Sequence, residues 1–128
     1  LSDWNGYLDR CAVSRNVSAV AGECMFISKE VFDQVGGFTE DFSLAYSDVD
    51  FCLKARELGF YTVYTPYVKL THSRSVNRMR NYSQAFLIKR TREAALIQYL
   101  WPDYFVKGDG FYNPNLDPNN PYFALRKD

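Results

Sequence analysis

The sequence predicts an α/β fold, and three observations carry it. The run "VSAVAGECMFI", residues 17–27, is mostly apolar and rich in small and β-branched residues, the composition of a buried strand. Two segments, "KEVFDQV" and one at about 48–58, carry helix start and stop residues at their ends. "FYTVYT" then reads as a strand by its β-branched and aromatic content and is closed by Pro66.

Residues 1–16 show no clean period and read as a loop with one short element. Gly22 marks a bend in the first strand or a close approach to it. Ser28 fits an N-cap for the first helix, and Gly36 fits its stop. Residues 38–46 read as a loop, Ser47 opens the second helix and Gly59 ends it. "YVKLTH" predicts a second short strand leading to His72. From about 77 to 100, Phe86, Leu87, Ala94, Ala95, Ile97 and Leu100 recur at near-helical spacing, and Trp101-Pro102 ends that helix. The tail "GDGFYNPNLDPNNPYF" is dense in turn residues. Phe111, Tyr112, Leu116, Tyr122 and Phe123 give it anchors, so it reads as a long ordered C-terminal loop.

The chain has 128 residues, enough for one domain with a core. Fifteen Lys and Arg balance fifteen Asp and Glu, which argues against a nucleic-acid module. No run approaches a transmembrane helix and no signal peptide is visible. The first residue is Leu1, with no initiator Met, so the chain reads as a fragment. Cys11, Cys24 and Cys52 are odd in number and lack C-x-x-C spacing. That argues against a disulfide framework and a zinc site, and predicts reduced, buried thiols in a cytoplasmic protein.

The acidic stretch "GGFTEDFSLAYSDVDFCLKARELGF", residues 36–60, holds Glu40, Asp41, Asp48 and Asp50. Ser47-x-x-Asp50 matches a capping box. Asp50, Lys54 and Glu57 share one helical stripe with an i,i+4 acid–base pair, so Asp50 reads as solvent-facing or structural. Asp48, Cys52 and Ala55 share another stripe without further charge. That points Asp48 toward packed or site-lining surface at a helix entrance, where a carboxylate is favoured. Spacing alone leaves Asp48 as either cap or catalytic base and favours the cap. Asp48-Val49-Asp50 is also a D-x-D, but on a helix start the two side chains diverge by about 200°, too far to share one ion easily.

Taken in order, these segments resemble family 2 glycosyltransferases. The motifs are Gly36-Gly37-Phe38-Thr39-Glu40, Ser47-Asp48-Val49-Asp50-Phe51-Cys52-Leu53-Lys54, Gly59-Phe60 running to Pro66, and His72. "FYNPNL", residues 111–116, is similar to the ending of a bacterial subgroup that builds cell-surface polysaccharides. The resemblance spans about 7–125. It implies a partial GT-A-like domain of the nucleotide-diphospho-sugar transferase type, with a mixed sheet of few strands flanked by helices. It also implies that this is the acceptor-side half, without the nucleotide-binding half.

The resemblance implies that Asp48 is the general base of an inverting sugar transfer. Gly22, Glu23, Asp50, Arg74 and Arg78 are candidate substrate-binding residues, and His72 is a candidate metal or diphosphate contact. For the residues by themselves, His72 is equally a hydrogen-bonded strand end, and the Arg74, Arg78 and Arg80 cluster is more simply a solvated face. Glu23 in an apolar strand requires a ligand or an ion pair. Trp101 and the "YNPN" loop, which could wall an acceptor pocket, read as structural.

Ser47 stands where many members carry Glu, Thr39 where they carry Asp, and Ser73-Arg74-Ser75 where the subgroup has "ES" after its His. The implied partners are a nucleotide-sugar donor and a glycan or lipid-linked glycan acceptor, at the inner face of a membrane. Lys89, Arg90 and Arg92 extend positive charge along the third helix, a weak signal for peripheral membrane or lipid-linked acceptor contact. A divalent metal, Mg or Mn, is implied for the parent enzyme and none for this fragment. An exposed sheet edge predicts self-association of the chain. The alternatives are a non-catalytic carbohydrate-binding or interaction module with the same half-fold, and a calcium-binding Asp-rich loop, which no EF-hand spacing supports.

Overall fold

The computed structural model describes residues 9–71, 83–120 and 123–126. Within them the chain runs β1 (Arg15–Val17), a 3-10 turn (Gly22–Cys24), α1 (Lys29–Val35), α2 (Ser47–Glu57), β2 (Thr62–Tyr64), α3 (Gln84–Leu100) and α4 (Pro102–Lys107). This is an α/β arrangement. The expected mixed sheet is corrected: among the described residues the sheet is two-stranded and antiparallel, with Arg15 opposite Tyr64, Asn16 opposite Val63 and Val17 opposite Thr62. The Arg15 guanidinium lies 5.2 Å from the Tyr64 ring centroid and covers one end of this short ribbon.

The strand expected at 17–27 is also corrected. Pairing ends at Val17, and the apolar run continues as irregular chain around the 3-10 turn, whose residues are all exposed. Composition made this segment look like a strand, but among the described residues it has no pairing partner beyond β2. "YVKLTH" forms no strand over its described residues 67–71. The start expected near 77 for the third helix lies outside the described residues, as do His72, Arg74, Arg78 and Arg80.

The helix punctuation fares better. The Ser28 side chain accepts from the Val31 N–H, and Gly36 closes α1 in the left-handed conformation at φ 82°. Ser83 caps α3 by accepting from the Phe86 N–H. Trp101 ends α3, and Pro102 opens α4 at once, where its missing N–H costs nothing.

α2 is the centre of the core. Its Asp50, Phe51, Cys52, Leu53 and Ala55 are all buried, so the helix is covered on more than one face. Phe51 packs with Phe32 of α1 and with Phe38, at ring-centroid distances of 5.8 and 5.1 Å. Burying one such ring contributes roughly 1.5–3 kcal/mol. Ile97 of α3 and Leu116 of the tail complete the buried apolar set with Phe42.

Over its described residues the C-terminal loop is held by local contacts, and the expected anchor Tyr122 lies outside them. Leu116 and Leu125 form a bridge, Asn113 and Asp117 accept from backbone N–H groups two residues on, and Phe111 lies under the Arg56 guanidinium at 4.6 Å. Of the cysteines, Cys52 is buried as expected, but Cys11 and Cys24 are exposed, because the segments that carry them are surface turns. Among the described residues, no helix is long and apolar enough to cross a membrane.

Candidate active site

The two aspartates at the start of α2 have separate surroundings. Asp48 is half-buried and faces the 3-10 turn. The Gly22 N–H donates to its Oδ2 at 2.8 Å, and the Val49 N–H lies 2.9 Å from its Oδ1. A Cβ on Gly22 would sit 3.5 Å from the Asp48 Cβ, an ordinary contact. The glycine therefore relieves no clash and instead leaves the carboxylate uncovered. A carboxylate has about four lone-pair sites, and two backbone donors leave room for a further hydroxyl.

Asp50 is 1% exposed. The Thr39 hydroxyl donates to its Oδ2 at 2.6 Å, the Trp101 Nε1–H donates to its Oδ1 at 2.9 Å, and the Lys54 Nζ stands 3.4 Å from Oδ2. Lys54 in turn donates to the Gly37 carbonyl at 2.8 Å and to Thr39 Oγ1 at 3.1 Å. Asp50 thus ties the Gly-Gly turn, α2 and the end of α3 together. Burial and these partners engage both oxygens of Asp50, the candidate substrate-binding aspartate of the motif. Of the two roles left open by spacing, it takes the structural one, and Trp101 is likewise part of the scaffold.

Glu23 is exposed beside Gly22, so the burial cost that made it a candidate does not arise. Glu40 and Asp41 are exposed as well. The capping box does not form. The N-cap of α2 is Tyr46, in the left-handed conformation at φ 68°, and its side chain makes no capping hydrogen bond. Ser47 falls inside the first turn, where its hydroxyl cannot serve as an N-cap. A left-handed non-glycine residue costs roughly 1–2 kcal/mol, so something must hold it.

The loop that leads into Tyr46 is held by Glu93, which the sequence reading missed. Its side chain is 3% exposed on the inward face of α3. The N–H groups of Ser43, Leu44 and Ala45 donate to it at 3.1, 3.1 and 2.8 Å, and the Ser43 hydroxyl at 3.3 Å. A signal existed: Phe86, Glu93 and Ile97 fall at i, i+7 and i+11, which places the carboxylate on the apolar stripe.

Burial pushes the Glu93 carboxyl up, but the hydrogen bonds from Ala45, Ser43 and Leu44 outweigh it, and the group lies below the ordinary glutamate value of 4.5. The unfolded chain therefore binds this proton more tightly than the folded one. The stabilisation is fully present above the ordinary glutamate range and is lost as pH falls through the lowered folded value. Stability in urea should consequently fall more steeply on acidification through that window in the wild type than in Glu93→Gln. Parallel curves for the two proteins would contradict this assignment.

The described residues do not make a divalent-metal site. No three His, Cys, Asp or Glu side chains converge among them, and Asp48 and Asp50 point to different elements. An apolar cavity of about 640 Å³ opens between the ribbon, the irregular segment after β1 and α2, lined in part by Val17, Ala21, Phe26, Phe51 and Val63. Asp48 is not among its walls.

Comparison with known proteins bears on this geometry. The family profile described as "Glycosyl transferase family group 2" matches residues 2–107. An uncharacterised protein, y4gI, of Sinorhizobium fredii is 37% identical over 121 residues, covering 94% of this chain and 13% of that protein. The O-antigen biosynthesis protein RfbC of Myxococcus xanthus is 32% identical over 120 residues, covering 89% of this chain and 8% of RfbC. The N-acetylglucosaminyl-diphospho-decaprenol L-rhamnosyltransferase of Mycobacterium tuberculosis is 31% identical over 61 residues, covering 48% of this chain and 20% of that enzyme. The chain thus spans a small part of the curated relatives it matches. No solved structure matches it.

Proposed function

The chain belongs to the family 2 glycosyltransferases, and from that premise we propose that it is the acceptor-side, catalytic-base part of a GT-A-type enzyme. The full protein transfers a sugar from a nucleotide sugar to a saccharide or lipid-linked saccharide, with inversion at the anomeric carbon. A saccharide acceptor is supported by the names of RfbC and the rhamnosyltransferase.

One observation carries the reading. Of the four acidic residues at the head of α2, Asp48 alone is neither fully exposed nor consumed by the scaffold, and a backbone N–H from a neighbouring turn fixes its carboxylate. Such a group can accept the proton of an acceptor hydroxyl as that oxygen attacks the anomeric carbon. The bond from that carbon to the diphosphate oxygen breaks, and the nucleoside diphosphate leaves. A single displacement requires one base, whereas glycoside hydrolysis uses two carboxyl groups. Gly22 orients the base, and the exposed Glu23 lies beside it, within reach of an acceptor. His72, Arg74 and Arg78 are proposed for the diphosphate side, where guanidinium geometry suits phosphate. Among the described residues no cluster of side chains would hold the divalent ion expected for the parent, which when bound would neutralise charge on the leaving diphosphate.

The test is the product. The full-length protein, given nucleotide sugars and a saccharide or lipid-linked acceptor, should release nucleoside diphosphate and form a glycoside of inverted configuration. A retained configuration would remove the single-displacement reading. Glycan binding without donor consumption would replace the enzyme with a binding module.

A further inference from the structure

We propose that Glu93 is a positioning residue for Asp48, acting through the loop at 43–45. The inference rests on the reading of Asp48 as base and adds a control that the family motif does not contain. Three consecutive N–H groups, of Ser43, Leu44 and Ala45, converge on one buried carboxylate. Among the described residues Glu93 has no cation within ion-pair distance, so these donors are what compensates its burial. A glutamate whose only task was packing would be replaceable by an apolar residue on this stripe, since an inward carboxylate is costly without its donors. The carboxylate specifies something that packing does not, namely the path of the loop.

That path ends at the base. The residue after Ala45 is Tyr46, held left-handed, and the Tyr46 carbonyl accepts the first helical bond of α2 from the Asp50 N–H at 2.8 Å. Asp48 lies within that same first turn. Fixing 43–45 therefore fixes where α2 begins and how the Asp48 carboxylate reaches the Gly22 N–H. Trp101, two turns further along α3, grips Asp50 from the same helix, so α3 holds the head of α2 at two points.

The experiment compares wild type, Glu93→Gln and Glu93→Asp in the full-length protein, with Asp48→Asn as control. It reads the kinetics of transfer together with hydrogen exchange at Gly22 and at 43–45. Displacing a catalytic group slightly is expected to lower kcat by about 10- to 100-fold while donor KM stays within about twofold, the pattern of an interaction made in the transition state. Exchange at Gly22 should rise together with exchange at 43–45 in Glu93→Gln, and Glu93→Asp, which keeps the charge but shortens the reach, should fall between. If Glu93→Gln does not fold, Glu93→Asp is judged by the same readouts. Faster exchange confined to 43–45, with kcat unchanged, would reduce Glu93 to a structural anchor and overturn the proposal. Should Asp48→Asn transfer sugar at the wild-type rate, the base reading fails, and exchange at Gly22 still decides whether Glu93 places Asp48.

Discussion

Replacing Asp48 by asparagine is expected to cut sugar transfer by about 10²- to 10⁴-fold and to leave stability and donor KM close to those of the wild type. The substitution is nearly isosteric. The amide oxygen can still accept from the Gly22 N–H, which in the wild type donates to Oδ2 at 2.8 Å, and only the half-buried Val49 N–H loses its acceptor oxygen. What asparagine cannot do is take the acceptor proton as the new glycosidic bond forms. The loss should therefore fall on kcat and kcat/KM alike, the pattern of an interaction made in the transition state. Steady-state kinetics on the full-length protein, paired with a melting curve, checks this. Turnover near the wild-type level would mean that Asp48 only secures the turn against the helix.

The neighbour two residues on should behave in the opposite way. Asp50→Ala is expected to destabilise the fold by about 3–5 kcal/mol, the range for breaking a buried charge pair. It leaves the Thr39 hydroxyl and the Trp101 indole without their acceptor and Lys54 without its counter-charge. Most of the cost comes from these orphaned groups. The ion pair itself counts for less, because the Lys54 side chain is 26% exposed and partly screened by water. Asp50→Asn should cost less than Asp50→Ala, since it keeps an acceptor for one of the two donors. Urea denaturation followed by far-UV circular dichroism measures both. A change under about 1 kcal/mol for Asp50→Ala would show that the network is dispensable. Together, the two substitutions separate residues that a D-x-D pattern would treat as one.

Local chemistry was legible in the sequence and distant chemistry was not. Ser28 and Gly36 announced both ends of α1 because a cap and a left-handed stop act within a few residues. The extent of α2 was legible for the same reason, through the Asp50–Lys54 pair and Gly59. Its start was not. Ser47 offered a local cap, but the loop before it is held by Glu93 on another helix, and that contact overrides the local preference. The segment 17–27 was misread because its apolar content reflects a wall of the cavity beside α2, with pairing confined to Arg15–Val17. Glu23 looked buried only through that misreading. The divergence of Asp48 from Asp50 followed from helix geometry alone. Which of the two lies open to a ligand depended on Thr39 and Trp101, and so on the tertiary fold.

The hold of α3 on the head of α2 also sets an order of events in folding. Glu93 and Ala45 are 48 residues apart in the chain, and Trp101 and Asp50 are 51 apart. Closing loops of that size carries an entropy cost before any contact rewards it, and such non-local pairings form slowly. α1, with its own caps, can form while later residues are still being synthesised. The entrance of α2 has no cap of its own and takes its shape only once α3 has arrived. A nascent chain that has not yet emerged past Trp101 therefore carries Asp48 without the geometry that aims it. On the proposed reading of Asp48 as base, chemical competence arrives after most of the local helical structure of this region is in place.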